Sequence, residues 1–244
     1  MDPIEYERMY RAEETHWWYS GMEAIASALL ERFLPHHHLS LLDAGCGTGA
    51  AMNGFLKEYG EVTGCDLSAL ALRYCQQRGL ARLAQATVTQ LPFPQNCFDA
   101  VTSFDVVYES SVEAPLVAFK EFARVLRPGG LLLLRVPAYD WLRGHHDHAV
   151  HTARRFNRRS LSNLIRQSGL RVVHITYANT FLFPLALIKR LAERAVPPKP
   201  DSSDLTLGTG VFNGLLRRIL AAEAPLAVRA GLPFGLSLIA VALK

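Results

Sequence analysis

Leu41-Leu-Asp-Ala-Gly-Cys-Gly-Thr-Gly49 is the stretch on which the fold turns. An apolar run ends in an acid, Asp43, and three glycines follow at alternate positions, Gly45, Gly47 and Gly49. A helix-like stretch then runs from Ala50 to Tyr59. Strand, tight turn and helix make the ligand-binding corner of a doubly wound α/β fold. The spacing is Gly-x-Gly-x-Gly and not the Gly-x-Gly-x-x-Gly of dinucleotide binders, which disfavours a nicotinamide-dependent oxidoreductase. Glycines let the main chain turn sharply and approach a ligand with no Cβ in the way. A second acid, Asp66, closes the next apolar run, Val62-Thr-Gly-Cys-Asp66.

Working outward, strands are expected at 61–67, 81–87, 98–107, 131–136, 171–177 and 236–243, and helices at 68–78, 112–126 and 160–168. Ser68 is placed to cap the first of these helices, and Gly79 to end it. Strands alternating with helices predict a parallel sheet with right-handed crossovers. Three parts lie outside that plan. Residues 1–38 form a helical lead-in with Thr15-His-Trp-Trp-Tyr19; residues 138–159 are a loop rich in His and Arg; residues 179–232 place two helices, split by the Pro-rich Val196–Asp201, before the last strand. Each can reach the carboxyl ends of the strands. The chain reads as a single domain: lead-in 1–38, core 39–178, insertion 179–232 and final strand 233–244.

The formal net charge of +4 over 244 residues is too small, and too concentrated around Arg143–Arg171, for a broad nucleic-acid face. Cys46, Cys65, Cys75 and Cys97 form no Cys-x-x-Cys pair, and no signal peptide is expected, so reduced thiols in the cytoplasm are the simplest account. The longest apolar runs, Phe181–Ile188 and Leu236–Leu243, are too short to span a membrane.

The glycine turn with its two acids resembles the S-adenosylmethionine site of class I methyltransferases. Leu91-Pro-Phe-Pro-Gln-Asn-Cys-Phe-Asp99 and Phe119-Lys-Glu-Phe-Ala-Arg-Val-Leu-Arg-Pro-Gly-Gly130 are similar to that family's approaches to its fourth and fifth strands. His16-Trp17-Trp18 and the segment from His146-Asp147 to Arg154-Arg155-Phe156 resemble a bacterial subgroup linked to cell-surface glycans, lipid-linked sugars and natural products. The resemblance implies a Rossmann-like fold: a seven-stranded, mostly parallel sheet whose last strand is antiparallel. It also implies S-adenosylmethionine as methyl donor, with S-adenosylhomocysteine as product. Asp43 then suits the donor's ammonium group, and Asp66 suits two ribose hydroxyls, because a carboxylate accepts two hydrogen bonds at once. Cys46, Leu67, Thr87, Val88 and Phe104 complete the expected cofactor site with Gly45, Gly47 and Gly49. The family often carries an acid just before the Leu-Pro-Phe turn; Ala86-Thr87-Val88 stands there instead, so Thr87 or the Val88 backbone is expected to serve the adenine.

Methyl transfer is an in-line displacement in which the protein mainly aligns the acceptor and excludes water. A base helps when the acceptor is a hydroxyl. His146, Asp147 and His151 lead as catalytic candidates, since histidine titrates near working pH and a carboxylate can fix its tautomer. His16, Trp17, Trp18, Tyr108, Glu109, Arg154 and Arg155 are the acceptor-side candidates. For Arg154 and Arg155, a grip on an acceptor carboxylate or phosphate competes with a structural salt bridge. Adjacent residues in one loop rarely all ligate an ion, so His145, His146, Asp147, His148 and His151 predict no metal centre. The expectation is methylation of a small-molecule, natural-product or glycoconjugate acceptor, with O-methylation favoured. N-methylation steered by Glu109 or Asp147, and binding without turnover, are the alternatives. The inserted helices are expected as a lid, with a dimer face or membrane-surface contact as rivals; the protein is expected to be a monomer or homodimer with no nucleic-acid partner.

Overall fold

β1 (Leu39–Ala44) lies at the centre of the sheet, with Leu41, Leu42 and Ala44 fully buried. A computed structural model describes residues 3–34, 38–143, 152–188, 210 and 212–244. On one side of β1 lie β2 (Gly60–Asp66) and β3 (Leu83–Gln85). On the other lie β4 (Phe98–Phe104), β5 (Leu126–Pro137), β7 (Ser237–Leu243) and, at the edge, β6 (Arg171–Ala178). β7 runs antiparallel to both of its neighbours, and the other strands share one direction. The order reverses between β1 and β4, which opens the crevice where such folds bind ligands. Leu131–Leu134 in β5 are buried on both faces, as the unbroken apolar run demands.

The core helices are α3 (Ala50–Asn53), α4 (Ala69–Gln77), α5 (Pro115–Val125) and α6 (Arg158–Gln167). Ser68 caps α4, its hydroxyl accepting the Ala71 N–H at 3.3 Å. Two expectations are corrected. The helix expected over 50–59 stops at Asn53, because Gly54 takes φ −87° and ψ −119°, and a single 3-10 turn follows at Leu56–Glu58. α5 ends at Val125, one residue early, and β5 starts at Leu126, which pairs with Phe98 before the register shifts.

The lead-in supplies α1 (Pro3–Ala12) and α2 (Trp17–Phe33). Met22, Ile25, Leu29 and Leu30 bury one stripe of α2. Within the insertion, residues 183–188 are helical, and α7 (Asn213–Ala221) and α8 (Ala224–Arg229) precede β7. Val196–Asp201 lies outside the described residues. α7 and α8 pack chiefly on α2, and α8 also touches β6, where His174 bonds the Ala227 carbonyl at 2.7 Å. A Cβ at Gly21 would stand 2.6 Å from Leu220, so glycine sets the closeness of α2 and α7. Among the described residues no helix is long and apolar enough to cross a membrane.

Candidate active site

The glycine turn is left-handed at all three glycines, with φ of +82°, +54° and +84° at Gly45, Gly47 and Gly49. A Cβ would meet Val106 at 2.2 Å from Gly45, Met9 at 3.0 Å from Gly47 and Leu80 at 2.6 Å from Gly49. Close packing against neighbouring side chains, as well as the turn itself, therefore requires glycine here. The Gly47 N–H donates to Asp66 Oδ2 at 2.9 Å, and the Ser68 N–H donates to Asp66 Oδ1 at 2.8 Å. These bonds tie the turn to the end of β2 and leave each carboxylate oxygen a second lone pair. Asp43 is almost wholly buried and accepts the Thr102 hydroxyl at 2.7 Å. Burial pushes its carboxyl up to about 7.

α1 lies across this turn. Arg78, at the end of α4, reaches back with its guanidinium to Glu13 at 3.1 Å, to Glu14 and to the Tyr10 carbonyl. It also donates to the Thr48 carbonyl at 2.9 Å and stacks 4.4 Å from the Tyr10 ring. Thr48 donates its hydroxyl to Glu13. Glu13 is pushed up to about 7 by burial, which outweighs its Thr48 and Arg78 partners.

A cavity of about 1230 Å³ runs from this corner along the carboxyl ends of the strands. It reaches Asp43, Gly45, Cys46, Gly47, Asp66, Leu67, Thr87, Val88 and Phe104; Gly49 stands behind it, against Cys75 and Leu80. Thr87 shares a hydroxyl hydrogen bond with Thr89 at 2.9 Å. Eight carboxylic side chains line the space (Glu5, Glu13, Glu14, Glu23, Asp43, Asp66, Asp105 and Glu109) against three guanidinium groups, of Arg78, Arg135 and Arg155. A chain of net positive charge thus presents an acidic interior here.

His16, Trp17, Trp18, Tyr108, Glu109 and Arg155 also line the cavity. His16 is buried and starts α2, its Nδ1 accepting the Trp18 N–H at 3.3 Å. The Trp18 ring lies 4.7 Å from the Arg135 guanidinium, which Phe104 faces at 5.2 Å and Asp105 holds at 2.6 Å. The Trp17 N–H donates to Asn213 Oδ1 at 2.8 Å, so the insertion clasps the lead-in. Burial pushes the Glu109 carboxyl up to about 7, and nearby Asp66 adds to the rise.

Arg154 departs from both readings offered above. It is not among the lining residues, and its guanidinium donates to the main-chain carbonyls of Val107, Val112 and Glu113, bracing the loop after β4. Arg155 lines the cavity while donating to the Ala138 carbonyl at 3.0 Å. His145, His146, Asp147, His148 and His151 lie outside the described residues. Sequence reasoning passed over Glu13, Arg78, Arg135 and Asn179. A signal existed for Arg135, a single charge closing the run Leu131–Leu134.

The sequence profile of a methyltransferase domain matches residues 42–134. Sterol 24-C-methyltransferase of Gibberella zeae is 32% identical over 132 residues, which are 48% of this chain and 33% of that protein. The probable tRNA methyltransferase 9B of Bos taurus is 32% identical over 140 residues, 55% of this chain and 30% of that protein. The chain therefore covers about a third of the length of these curated relatives. Among solved structures, the 1,6-didemethyltoxoflavin-N1-methyltransferase of Burkholderia thailandensis, with its substrate and S-adenosylhomocysteine bound, superposes with a TM-score of 0.60 at 19% identity. That match covers 99% of this chain and 86% of that one. Residues 42–134, from the glycine turn through most of β5, are thus similar to a methyltransferase domain, and the chain has the Rossmann-like fold of that solved methyltransferase.

Proposed function

We propose that the chain transfers a methyl group from S-adenosylmethionine to a small-molecule, natural-product or glycoconjugate acceptor, at a hydroxyl oxygen. One observation carries this reading: a single cavity joins the glycine turn and Asp66 to Tyr108, Glu109 and the insertion, so donor and acceptor share one space. The residues suit the donor. Asp66 keeps acceptor capacity for the ribose hydroxyls beside the main-chain N–H groups of Gly47, Leu67 and Ser68. Asp43 and the surrounding acids suit a ligand bearing ammonium and sulfonium charges. Thr87 and Val88 line the same cavity and would serve the base, and neither position carries an acid. When bound, S-adenosylmethionine supplies a methyl group already activated on its sulfonium.

The chain's own part is to align and enclose. α1, held by Arg78 to Glu13, covers the turn and keeps water from it. Glu109, with its carboxyl near neutrality, is the base that the described residues offer to an acceptor hydroxyl. His146 and His151, with Asp147, are the further candidates for the same role. A small acceptor is favoured over a nucleic acid because the carboxylates of the cavity repel phosphate. The acidic lining also favours an amine acceptor as the second reading. All four cysteines are free thiols, in keeping with a reducing cytoplasm.

The test is transfer of label from methyl-labelled S-adenosylmethionine to parallel panels of hydroxyl and amine acceptors. Label is expected in hydroxyl acceptors, and Glu109→Gln is expected to slow the transfer about 100-fold without changing affinity for S-adenosylhomocysteine. Label in amines alone would establish the second reading. Cofactor binding with no transfer to any acceptor would leave a binding protein without turnover.

A further inference from the structure

Asn179 follows β6 directly, at the carboxyl end of the strand, and lines the cavity opposite the glycine turn's end of the sheet. It is 2% exposed, and its side-chain Oδ1 is buried with no hydrogen-bond partner. A buried acceptor left unsatisfied is costly and uncommon. The position is not loose. Asn179 adopts φ +62°, a left-handed conformation that asparagine tolerates. Glu223, fully buried just before α8, accepts the Phe181 N–H at 2.7 Å, and the main-chain N–H groups of Asn179 and Thr180 also donate to it. Three successive N–H groups donate to this carboxylate, whose Oε2 is itself buried without a partner, and they set the corner on which Asn179 sits.

Beyond Asn179 the cavity changes character. Leu182, Leu185 and Ala186 line it from one segment of the insertion, and Phe212 and Leu216 line it from another. Leu185 and Phe212 are 63% and 68% exposed, unusual for large apolar side chains facing one space. A buried polar atom without a partner, on a residue that shares a cavity with an apolar lining, is the pattern of a site that reads one polar group on an otherwise apolar ligand.

We propose that Asn179 determines acceptor specificity: its side-chain carbonyl accepts a hydrogen bond from an O–H donor of an amphipathic acceptor whose apolar part lies between Leu182–Ala186 and Phe212–Leu216. Glu223 is the positioning residue behind it. This inference rests on the reading of the cavity as the site of methyl transfer, and it adds the chemical class of the acceptor.

The probes are 4-pentylphenol and 4-pentylanisole, which share an apolar tail and differ in the donor. Their binding is measured calorimetrically on the whole chain saturated with S-adenosylhomocysteine. The phenol is expected to bind about tenfold tighter than the anisole. Asn179→Gly, which leaves the left-handed backbone unstrained, is expected to abolish that preference while anisole and S-adenosylhomocysteine bind as before. Asn179→Asp keeps an acceptor oxygen in place and is expected to keep the preference. Glu223→Gln is expected to weaken phenol binding and leave anisole binding unchanged. Equal binding of the two probes by the wild type, no binding of either, or a preference that survives in Asn179→Gly would each overturn the proposal. Should Asn179→Gly fail to fold, the wild-type preference and its retention in Asn179→Asp support the proposal, and its loss in Asn179→Asp overturns it. Failure of the wild type to bind S-adenosylhomocysteine would instead strike the cofactor reading on which the proposal rests.

Discussion

The two ends of the cavity are built in different ways. At the cofactor end, residues close in sequence hold one another through the main chain: Asp66 accepts from Gly47 and Ser68, and three left-handed glycines shape the turn. At the acceptor end, shape comes from side chains that meet across the whole chain. Asn213 joins Thr15 and Trp17, the latter 196 residues away, and Glu223 holds the corner at Asn179–Phe181. The hydrogen bonds of the first arrangement run between core residues alone, and the lead-in adds only contacts on the turn, through Met9 and Glu13. The second is rebuilt whenever the lead-in or the insertion changes. Relatives named for acceptors as unlike as a sterol and a tRNA match only about half of this chain, which fits that division.

Arg78 is where the two systems are joined, and removing it should break the comparison most severely. Its side chain and that of Glu13 are 4% and 8% exposed, so Arg78→Met strands a buried carboxyl group. A loss of about 3–5 kcal/mol in unfolding free energy is expected, read by denaturant titration. A loss below 1 kcal/mol would mean that α1 is held by other contacts.

Gly45→Ala probes the cofactor end alone. The new methyl group must sit at φ +82° and 2.2 Å from Val106. The expected cost is about 2–4 kcal/mol, strain and overpacking together. Gly45→Ala with Val106→Ala should recover part of it, because the clash is then relieved and the strain is not.

The smallest effect is on pH dependence. Glu13, Asp43 and Glu109 are each held near 7 in the folded chain, from ordinary values of 4.5, 3.8 and 4.5. Between pH about 4 and 7 the folded protein keeps protons that the unfolded chain has released. Stability is therefore expected to fall as pH rises through that window, lowering Tm by several degrees, at roughly 2–4 °C per kcal/mol for a chain of this length. Saturating S-adenosylmethionine should shrink the loss, because a bound cation favours the ionised carboxylates. A Tm that rises over the same window without ligand would contradict the burial of these groups.

What could be read in the sequence follows the same division. Strands from β1 to β5, the cap at Ser68 and the paired acids of the turn were legible because apolar runs and capping are local. Gly54 broke a helix whose pattern ran on past it, since a single glycine does not interrupt apolar periodicity. The packing of Val106 and Met9 on the turn left no trace, because each comes from a segment far away in the chain. Arg135 reads as the solvated end of a strand until Asp105 and Trp18 are found around it. Asn179 reads as an ordinary loop residue until Glu223 is seen to hold its main chain. Arg154 reads in the sequence as a ligand grip or a structural salt bridge; its partners in the structure are main-chain carbonyls, which carry no sequence signature.

The central claim, that the glycine corner holds S-adenosylmethionine through Asp66, is tested most directly by calorimetric titration of the wild type and Asp66→Ala with S-adenosylhomocysteine. Saturable binding to the wild type, weakened about 100-fold in the variant by the loss of two hydrogen bonds to a charged group, is the predicted result. Equal affinity in both proteins, or no binding by the wild type, would contradict it.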